Sequence, residues 1–211
     1  RRQRQMCIRD SPSGAFTTAA GMVAITEKHL NDKFSQNLDK SNVVILGGTG
    51  PVGVASAVIC AKAGADVTLV GRSLEKAEKI AGICNDRYDS KNVKGGADAD
   101  KSDFFNAADI VLNTGAAGIQ LMSEEHIKNS NTLKICADTN AVPPSGIAGV
   151  DVMDNGKVID MSPSKCLGIG ALAIGNIKYK SQHECLKLMY TSEKPVYLDF
   201  EDAFKFAQKS V

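Results

Sequence analysis

The fold is decided by residues 43–73, which read VVILGGTGPVGVASAVICAKAGADVTLVGRS. The stretch begins with a short apolar run that glycine ends, which is typical of a strand buried on both faces of a parallel sheet. A segment of small apolar residues follows, and Pro51 at its start and Gly64 at its end predict a helix. A second apolar run leads to Gly71, Arg72 and Ser73, and Ser73 is predicted to be the N-cap of the helix that follows. This order predicts a strand–helix–strand unit.

The alternation continues along the chain. Further strands are predicted near residue 93, at 109–113 and in TLKICADTN, with a last strand in KVIDM. Helices are predicted between them, before them from Thr17 to Phe34, in the long segment GIGALAIGNIKYKSQHECLKLMY and at FEDAFKFAQKS. Strands that alternate with helices favour an α/β fold. We therefore predict a doubly wound parallel sheet of the Rossmann type, with three layers in the order α/β/α.

The glycines after the first strand fit the pattern G-x-G-x-x-G from Gly48 to Gly53. In this pattern the first glycine permits a tight turn, the second lets the backbone approach a pyrophosphate, and the third lets helix and strand pack closely. The start of the helix then offers N–H groups to the anion. Since proline has no N–H, the donors are expected at Thr49, Gly50, Val52 and Gly53. The predicted cofactor contacts here are Gly48, Thr49, Gly50, Pro51 and Val52.

Arginine stands where the second strand ends, in the order Gly71, Arg72, Ser73. An NAD site usually has a carboxylate at this place, to bind the ribose hydroxyls. A guanidinium suits a 2′-phosphate instead, because its fork of N–H groups matches the phosphate oxygens. These three residues are therefore predicted to select NADP, with NAD still possible. The alternative interpretation is a solvated arginine at a strand end.

Polar and small residues follow the fourth and fifth strands, at the edge of the sheet where ligands bind in open α/β folds. Small residues there leave room for the nicotinamide ribose. Asp138 has an alternative interpretation as a turn or cap carboxylate. The predicted cofactor contacts at this edge are Asn113, Thr114, Gly115, Ala116, Asp138 and Asn140.

Composition excludes several other classes of function. The chain of 211 residues has no Trp, no apolar run of about 20 residues, and six cysteines without a C-x-x-C pair. We expect no nucleic-acid partner, no membrane span, no metal site, and buried thiols in a reducing cytoplasm. Residues 1–10 carry four Arg and one Asp, and we expect them to be a non-native extension that is dispensable for folding. Without them the net charge changes from +1 to −2, that is 21 basic against 23 acidic residues.

The chain resembles the NADP-dependent methylene-tetrahydromethanopterin dehydrogenases of one-carbon metabolism. The similarity extends from about Ser11 to the end and is carried by SGAFTTAAGMVA, GGTGPVGVASA, GRSLEKA, ADTNAVPPSGIAGVD and GIGALAIGNIKYK. The resemblance implies that most of an N-terminal domain is missing here. It gives residues 11–40 as the remnant and connecting helix, 41–180 as the NADP-binding domain and 181–211 as C-terminal helices. A cleft that lacks one of its two walls cannot exclude water or orient the hydride donor. This chain is therefore expected to bind NADP but to turn over its substrate poorly.

The resemblance also implies the chemistry. A methylene carbon between two pterin nitrogens gives a hydride to NADP, and the product is a methenyl cation. No proton moves in that step, so no catalytic residue is assigned and the protein's task is orientation and exclusion of water. The expected substrate is a tetrahydropterin. The expected assembly is a homo-oligomer. The residues expected to line the substrate cleft are Thr17, Pro143 and Lys178.

Three alternatives stay open. The first is a methylene-tetrahydrofolate dehydrogenase, since the sequence does not separate pterin from folate. The second is a shikimate-type NADP dehydrogenase, although the catalytic Lys–Asp pair of a substrate domain is lacking. The third is a binding module that holds NADP without turnover. A loop at Pro143 and Pro144 that points into the cleft would favour an enzyme.

Overall fold

The computed structural model of the protein describes residues 14–211, and the predicted extension at residues 1–10 lies outside them. Seven strands form one sheet in this part of the chain. They are β1 (Asn42–Leu46), β2 (Asp66–Gly71), β3 (Val93–Ala97), β4 (Ile110–Asn113), β5 (Ile135–Asp138), β6 (Asn155–Val158) and β7 (Leu167–Ile169).

The strand order is β3-β2-β1-β4-β5-β7-β6. All neighbouring strands are parallel except β6, which pairs antiparallel with β7 at one edge. The chain therefore leaves β1 toward β2 on one side and returns to β4 on the other. This reversal creates a crevice between the carboxyl ends of β1 and β4, which is where ligands bind in doubly wound sheets.

Helices cover both faces of the sheet. The described helices are α1 (Ala15–Phe34), α2 (Pro51–Lys62), α3 (Leu74–Tyr88), α4 (Lys101–Ala107), α5 (Glu124–Asn129), α6 (Ala171–Thr191) and α7 (Phe200–Gln208). Because alternate residues of a strand face opposite sides, Val43 and Ile45 join the core under α1, α2, α3, α6 and α7, whereas Val44 and Leu46 join the core with α4 and α5. The predicted three-layer Rossmann-type fold is confirmed.

One predicted element is wrong. The long helix was expected to begin at Gly168, but residues Leu167–Ile169 form β7 and the helix begins at Ala171. Leu167 and Ile169, with Gly168 between them and Gly170 after them, form too short a pattern to distinguish a strand from a glycine-rich helix start. Helix α6 continues across residue 180, where the sequence-based domain boundary was placed, and the division into domains stays a prediction.

The cysteines confirm the predicted burial as far as the structure describes them. Cys60, Cys84, Cys136, Cys166 and Cys185 are free and buried, and Cys7 lies outside the described residues. Burial raises the pKa of the Cys60 thiol to about 12, and the negative charge of Glu27 adds to the shift. A thiol with so high a pKa is a poor nucleophile, so Cys60 acts as a packing residue. No helix in residues 14–211 is long and apolar enough to cross a membrane.

Candidate cofactor-binding site

The loop after β1 needs two adjacent glycines for two different reasons. Gly47 has φ +65°, and a Cβ at this position would lie 2.6 Å from the Cα of Gly115 in the loop after β4. Gly48 has no left-handed φ; a Cβ there would lie 2.8 Å from the carbonyl oxygen of Ile45 and 3.1 Å from the Cα of Leu69. The tight turn predicted at Gly48 therefore belongs to Gly47, and Gly48 is required by its close packing on β2.

The other two glycines of the motif, Gly50 at the N-cap of α2 and Gly53 in its first turn, have contrasting surroundings. A Cβ at Gly53 would lie 2.6 Å from the Cα of Gly48, which is the close helix–strand packing expected of the third glycine. A Cβ at Gly50 would meet only the carbonyl oxygen of Gly47, at 3.5 Å. The space around Gly50 is thus open on the side away from the protein, as the close approach of a pyrophosphate requires.

Free backbone donors cluster at the start of α2. Gly50 is the N-cap of this helix and Pro51 occupies its first turn, with no side chain capping the end. Within the described residues, the N–H groups of Thr49, Val52 and Gly53 have no hydrogen-bond partner, while the Gly50 N–H donates to the carbonyl of Gly47 at 3.1 Å. Three of the four predicted donors are thus available to an anion at the positive end of the helix dipole.

The guanidinium of Arg72 is exposed and forms no ion pair or hydrogen bond in the part of the chain that the structure describes. Arg72 follows Gly71, the last residue of β2. A Cβ at Gly71 would lie 2.9 Å from Cγ2 of Thr49 in the loop of residues 47–50, which is called the phosphate loop after its predicted ligand. Arg72 therefore stands beside the loop. Ser73 is the predicted N-cap of α3, and its hydroxyl oxygen accepts from the N–H of Lys76 at 3.3 Å. Its hydroxyl proton remains available to a phosphate oxygen.

Three predicted cofactor contacts, Asn113, Asp138 and Asn140, form a buried polar network. Their exposed fractions are 0%, 2% and 7%. The Asn113 amide donates to Asp138 at 2.7 Å, and the Asn140 N–H donates to the same oxygen at 2.9 Å. Asp138 thus acts as a turn carboxylate, the alternative that its sequence position allowed. The predicted contact of these three residues with the cofactor stays a prediction.

The loop residues beside this network lie at the predicted edge. Thr114 donates from its hydroxyl and its N–H to the carbonyl of Leu46, at 2.8 and 2.9 Å, and so ties the end of β4 to the end of β1. Gly115 packs against Gly47, the glycine with the left-handed turn after β1. Ala116 is exposed in the same loop. This loop and the phosphate loop together form the two sides of the crevice.

The predicted substrate residues divide into two groups. Thr17 lies with Gln182 and Leu198 in a cavity of about 240 Å³ between α1, α6 and α7. Lys178 is half-buried. It lies near this cavity, because a Cβ at Gly14 would be 3.3 Å from its Nζ. Pro143 lies in the loop after β5, where its carbonyl oxygen is near Gly118. The structure brings Thr17 and Lys178 together and places Pro143 beside the loop that follows β4.

A serine and a histidine outside this edge resemble a nucleophile and its base. His126 Nε2 lies 3.2 Å from the hydroxyl of Ser102 in a polar cavity between α4 and α5. However, Nδ1 of His126 accepts the backbone N–H of Ser123 at 3.1 Å, so the ring proton is on Nε2 and points at Ser102. A protonated nitrogen cannot accept the serine proton. His126 therefore serves as a helix cap and not as a base.

Comparison with known proteins identifies the family. No protein-family model matches the chain. A relative from Methylorubrum extorquens, the NAD(P)-dependent methylenetetrahydromethanopterin dehydrogenase, is 39% identical over 199 residues, which cover 93% of this chain and 66% of the relative. A second relative from the same organism, the bifunctional protein MdtA, is 35% identical over 209 residues, covering 98% of this chain and 69% of that protein. The chain thus spans about two thirds of the length of these relatives.

Solved structures agree at the level of the fold. The shikimate 5-dehydrogenase of Listeria monocytogenes, in complex with shikimate and NAD, has a TM-score of 0.55 at 15% identity, covering 90% of this chain and 61% of that one. An L-alanine dehydrogenase has a TM-score of 0.57 at 16% identity, covering 92% and 58%. Both are Rossmann-type dehydrogenases by fold. The two relatives from Methylorubrum extorquens show that the chain belongs to the methylenetetrahydromethanopterin dehydrogenase family.

Proposed function

We propose that the protein binds NADP and transfers to it a hydride from methylene-tetrahydromethanopterin. The observation that carries the proposal is the pairing of an open phosphate loop at Gly50 with an unpartnered arginine, Arg72, at the end of the adjacent strand. The relatives add the substrate, since one of them is named as a dehydrogenase of this pterin that depends on NAD(P).

The diphosphate would rest against the start of α2. The N–H groups of Thr49, Val52 and Gly53 have no partner within the described residues and would donate to it, and the helix dipole favours negative charge there. The adenosine half would then lie over β2, because β2 is the neighbour of β1 on that side. Arg72 and the hydroxyl of Ser73 would hold the 2′-phosphate, and no carboxylate precedes Glu75 in α3 to repel it.

The nicotinamide half would lie on the other side of the crevice, over β4 and β5. NADP supplies the hydride acceptor when it is bound. The chain's own residues orient the ring and exclude water, through the loop at Thr114, Gly115 and Ala116 and the loop that contains Pro143. Thr17 and Lys178 are proposed for the pterin side, where the half-buried ammonium can donate a hydrogen bond. A proton acceptor is not required by a hydride transfer.

Calorimetric titration tests the binding part of the proposal. The purified chain is titrated with NADP and with NAD at the same salt concentration. We expect NADP to bind at least tenfold more tightly, because only NADP carries the phosphate that Arg72 would hold. Equal affinity would remove the support for NADP, and absence of binding to either would reject the cofactor site.

The hydride transfer needs a separate measurement. Reduced nicotinamide is followed by its absorbance after methylene-tetrahydromethanopterin or methylene-tetrahydrofolate is added with NADP. Faster reduction with the methanopterin supports the proposed substrate, and faster reduction with the folate favours the first alternative. Because this chain is expected to turn over poorly, only NADP binding with no detectable reduction by either donor favours the binding module. The homo-oligomer and the cytoplasmic location stay predictions.

A further inference from the structure

We infer that Asp138 is a positioning residue, which holds the loops after β4 and β5 in one fixed arrangement through the side chains of Asn113 and Asn140. The inference deepens the proposed function, because these loops border the nicotinamide half of the site. It rests on that function for its cofactor measurement alone. The structural part stands on hydrogen bonds within the chain.

The carboxylate of Asp138 is the centre of the arrangement. It is 2% exposed, and burial of a carboxylate is costly unless hydrogen-bond donors replace water. Three donors do so: the side-chain amide of Asn113 at 2.7 Å, the N–H of Asn140 at 2.9 Å and the N–H of Ile147 at 3.0 Å. The first two share one oxygen and the third binds the other. Both oxygens are therefore occupied by the protein.

Asn113 carries the arrangement into the loop after β4. Its amide nitrogen faces Asp138, so its carbonyl oxygen is turned away and accepts the N–H of Gly115 at 3.0 Å. Gly115 is the residue that touches Gly47 in the phosphate loop. The orientation of one buried amide thus connects Asp138 to the loop after β4, at the residue where that loop packs against Gly47.

Asn140 joins the two loops directly. Its side-chain oxygen accepts the N–H of Gly118 at 3.3 Å, from the loop after β4, and the N–H of Val142 at 2.9 Å, from the loop after β5. Its amide nitrogen donates to the carbonyl of Pro144 at 2.7 Å. Ile119 and Val142 are about half exposed beside these bonds. These three bonds of the Asn140 side chain, the Asn140 clamp, hold the backbone next to two apolar side chains that are exposed at the edge of the crevice.

Gly146 shows how closely the network is packed. A Cβ at this position would collide with the amide nitrogen of Asn113 and would lie 2.9 Å from a carboxylate oxygen of Asp138. The loop after β5 thus passes over the network without a side chain. Since both carboxylate oxygens of Asp138 are buried and accept N–H groups of the protein, its contribution to the reaction is indirect and consists in the shape of the two loops.

Amide hydrogen exchange tests the structural part without a cofactor. In Asp138→Asn, an NH2 group, which can only donate, replaces one of the two carboxylate oxygens that accept N–H groups. We expect exchange to rise at Gly115 and Gly118, although neither residue bonds to Asp138 itself, because Asn113 and Asn140 lose their fixed orientation. A rise confined to the direct partners, Asn140 and Ile147, would overturn the inference.

Asp154→Asn is the matched control. Asp154 is also a buried carboxylate, at 7% exposure, and accepts the N–H of Asp151 at 2.7 Å in the segment before β6. Its replacement should leave exchange at Gly115 and Gly118 unchanged. A similar rise in this variant would mean that the loss of any buried carboxylate loosens the edge of the sheet, and the assignment to Asp138 would fail.

A second variant covers the case in which Asp138→Asn does not fold. Asn140→Ala removes the clamp but leaves Asp138 and Asn113 in place. We expect exchange to rise at Gly118 and Val142, and to stay unchanged at Gly115, which Asn113 still holds. Unchanged exchange at Gly118 would contradict the inference.

Cofactor affinity tests the functional part. The ligands are NADP and 2′-phospho-ADP-ribose, which lacks the nicotinamide ring. We expect Asp138→Asn to weaken NADP about tenfold, which is about 1.4 kcal/mol, and the truncated ligand less than twofold. Equal losses for both ligands would show a general destabilisation and overturn the inference. If the parent binds neither ligand, the proposed function fails, and the exchange measurements still decide the role of Asp138.

Discussion

Gly50 and Gly53 belong to one glycine motif, at the N-cap and in the first turn of α2, but respond differently to a methyl group. Gly50 has φ −85° and ψ 167°, which any residue adopts, and its surroundings are open. We predict that Gly50→Ala keeps the parent's melting temperature but weakens NADP at least tenfold, because the methyl group occupies the space that a pyrophosphate needs. Thermal unfolding and titration measure the two effects.

Gly53→Ala is the contrasting variant. Its methyl group would collide with the backbone of Gly48, and overpacking of this kind costs about 1–3 kcal/mol. We expect a lower melting temperature for this variant in the absence of any ligand. If Gly50→Ala binds NADP as the parent does, the phosphate loop faces something other than a phosphate.

Arg72 is the residue on which the proposed preference for NADP depends. A hydrogen bond to a charged group contributes about 1.5–3 kcal/mol, and each 1.4 kcal/mol is a factor of ten in affinity. We predict that Arg72→Ala weakens NADP about ten- to hundredfold and leaves NAD nearly unchanged, with a smaller effect at high salt. Titration of both cofactors at two salt concentrations measures this.

Arg87→Ala provides the matched control for Arg72. Arg87 is the other arginine within residues 14–211 and lies in the last turn of α3, with its guanidinium 5.9 Å from the ring centre of Tyr88. Loss of the Arg87 side chain should leave the affinity for NADP and for NAD unchanged. Equal weakening of NADP and NAD in Arg72→Ala would make Arg72 a structural residue.

At the scale of single elements, α1 and α6 pack through glycine. A Cβ at Gly21 would lie 2.9 Å from the backbone nitrogen of Lys178 and 3.1 Å from the carbonyl oxygen of Ile174. We predict that Gly21→Ala destabilises the protein by about 1–3 kcal/mol, because the two helix backbones must separate. Gly175→Ala in α6 meets no atom within 4 Å and should stabilise by up to about 1 kcal/mol, through helix propensity. Urea unfolding of both variants measures the difference.

Helix α5 begins with an unusual cap that depends on pH. The Ser123 hydroxyl accepts the N–H of His126, and the His126 ring accepts the N–H of Ser123. Partial burial lowers the pKa of His126 below 6.5, and Lys101 lowers it further, against weaker opposite effects of Glu125 and Asp98. Since the unfolded chain then binds the proton more readily, the cap's contribution is present above about pH 6.5 and is lost as pH falls through the folded pKa.

The corresponding prediction compares two pH profiles. His126→Gln keeps a side-chain acceptor for Ser123 but does not titrate. We expect the parent to lose more unfolding free energy than this variant between pH 7 and pH 5, measured by urea unfolding. Parallel profiles would show that protonation of His126 does not affect the cap.

These elements also show what the sequence could predict. Long apolar runs and the N-cap at Ser73 predicted most strands and helices, because period and capping are local properties. In the pair Gly47-Gly48, the sequence could not tell which residue takes the left-handed turn, since that depends on contact with Gly115. The cap by His126 was missed because histidine is not the usual partner of serine in a capping box. The network around Asp138 joins residues from two strands and a loop, and no local pattern records it.

At the scale of the whole molecule, the cofactor edge exists only when both halves of the sheet are assembled. The proposed phosphate loop follows β1, Arg72 follows β2, and the loop at Gly115 follows β4. The strands between them separate two apolar cores, one on each face. A ligand that touches all three strand ends should therefore bind the folded chain alone and stabilise it as a unit.

This coupling gives a prediction for thermal unfolding. At a concentration 100 times its Kd, NADP should add about 2.7 kcal/mol to the free energy of unfolding. For a domain of this size that corresponds to a rise in Tm of about 5–11 °C. In Arg72→Ala, at the same NADP concentration, a Kd raised ten- to hundredfold leaves about 0.4–1.4 kcal/mol, so the rise should fall by half or more. 2′-Phospho-ADP-ribose should stabilise the parent as well, because it reaches β1 and β2. A parent whose Tm does not respond to NADP would show that the three strand ends do not form one binding site.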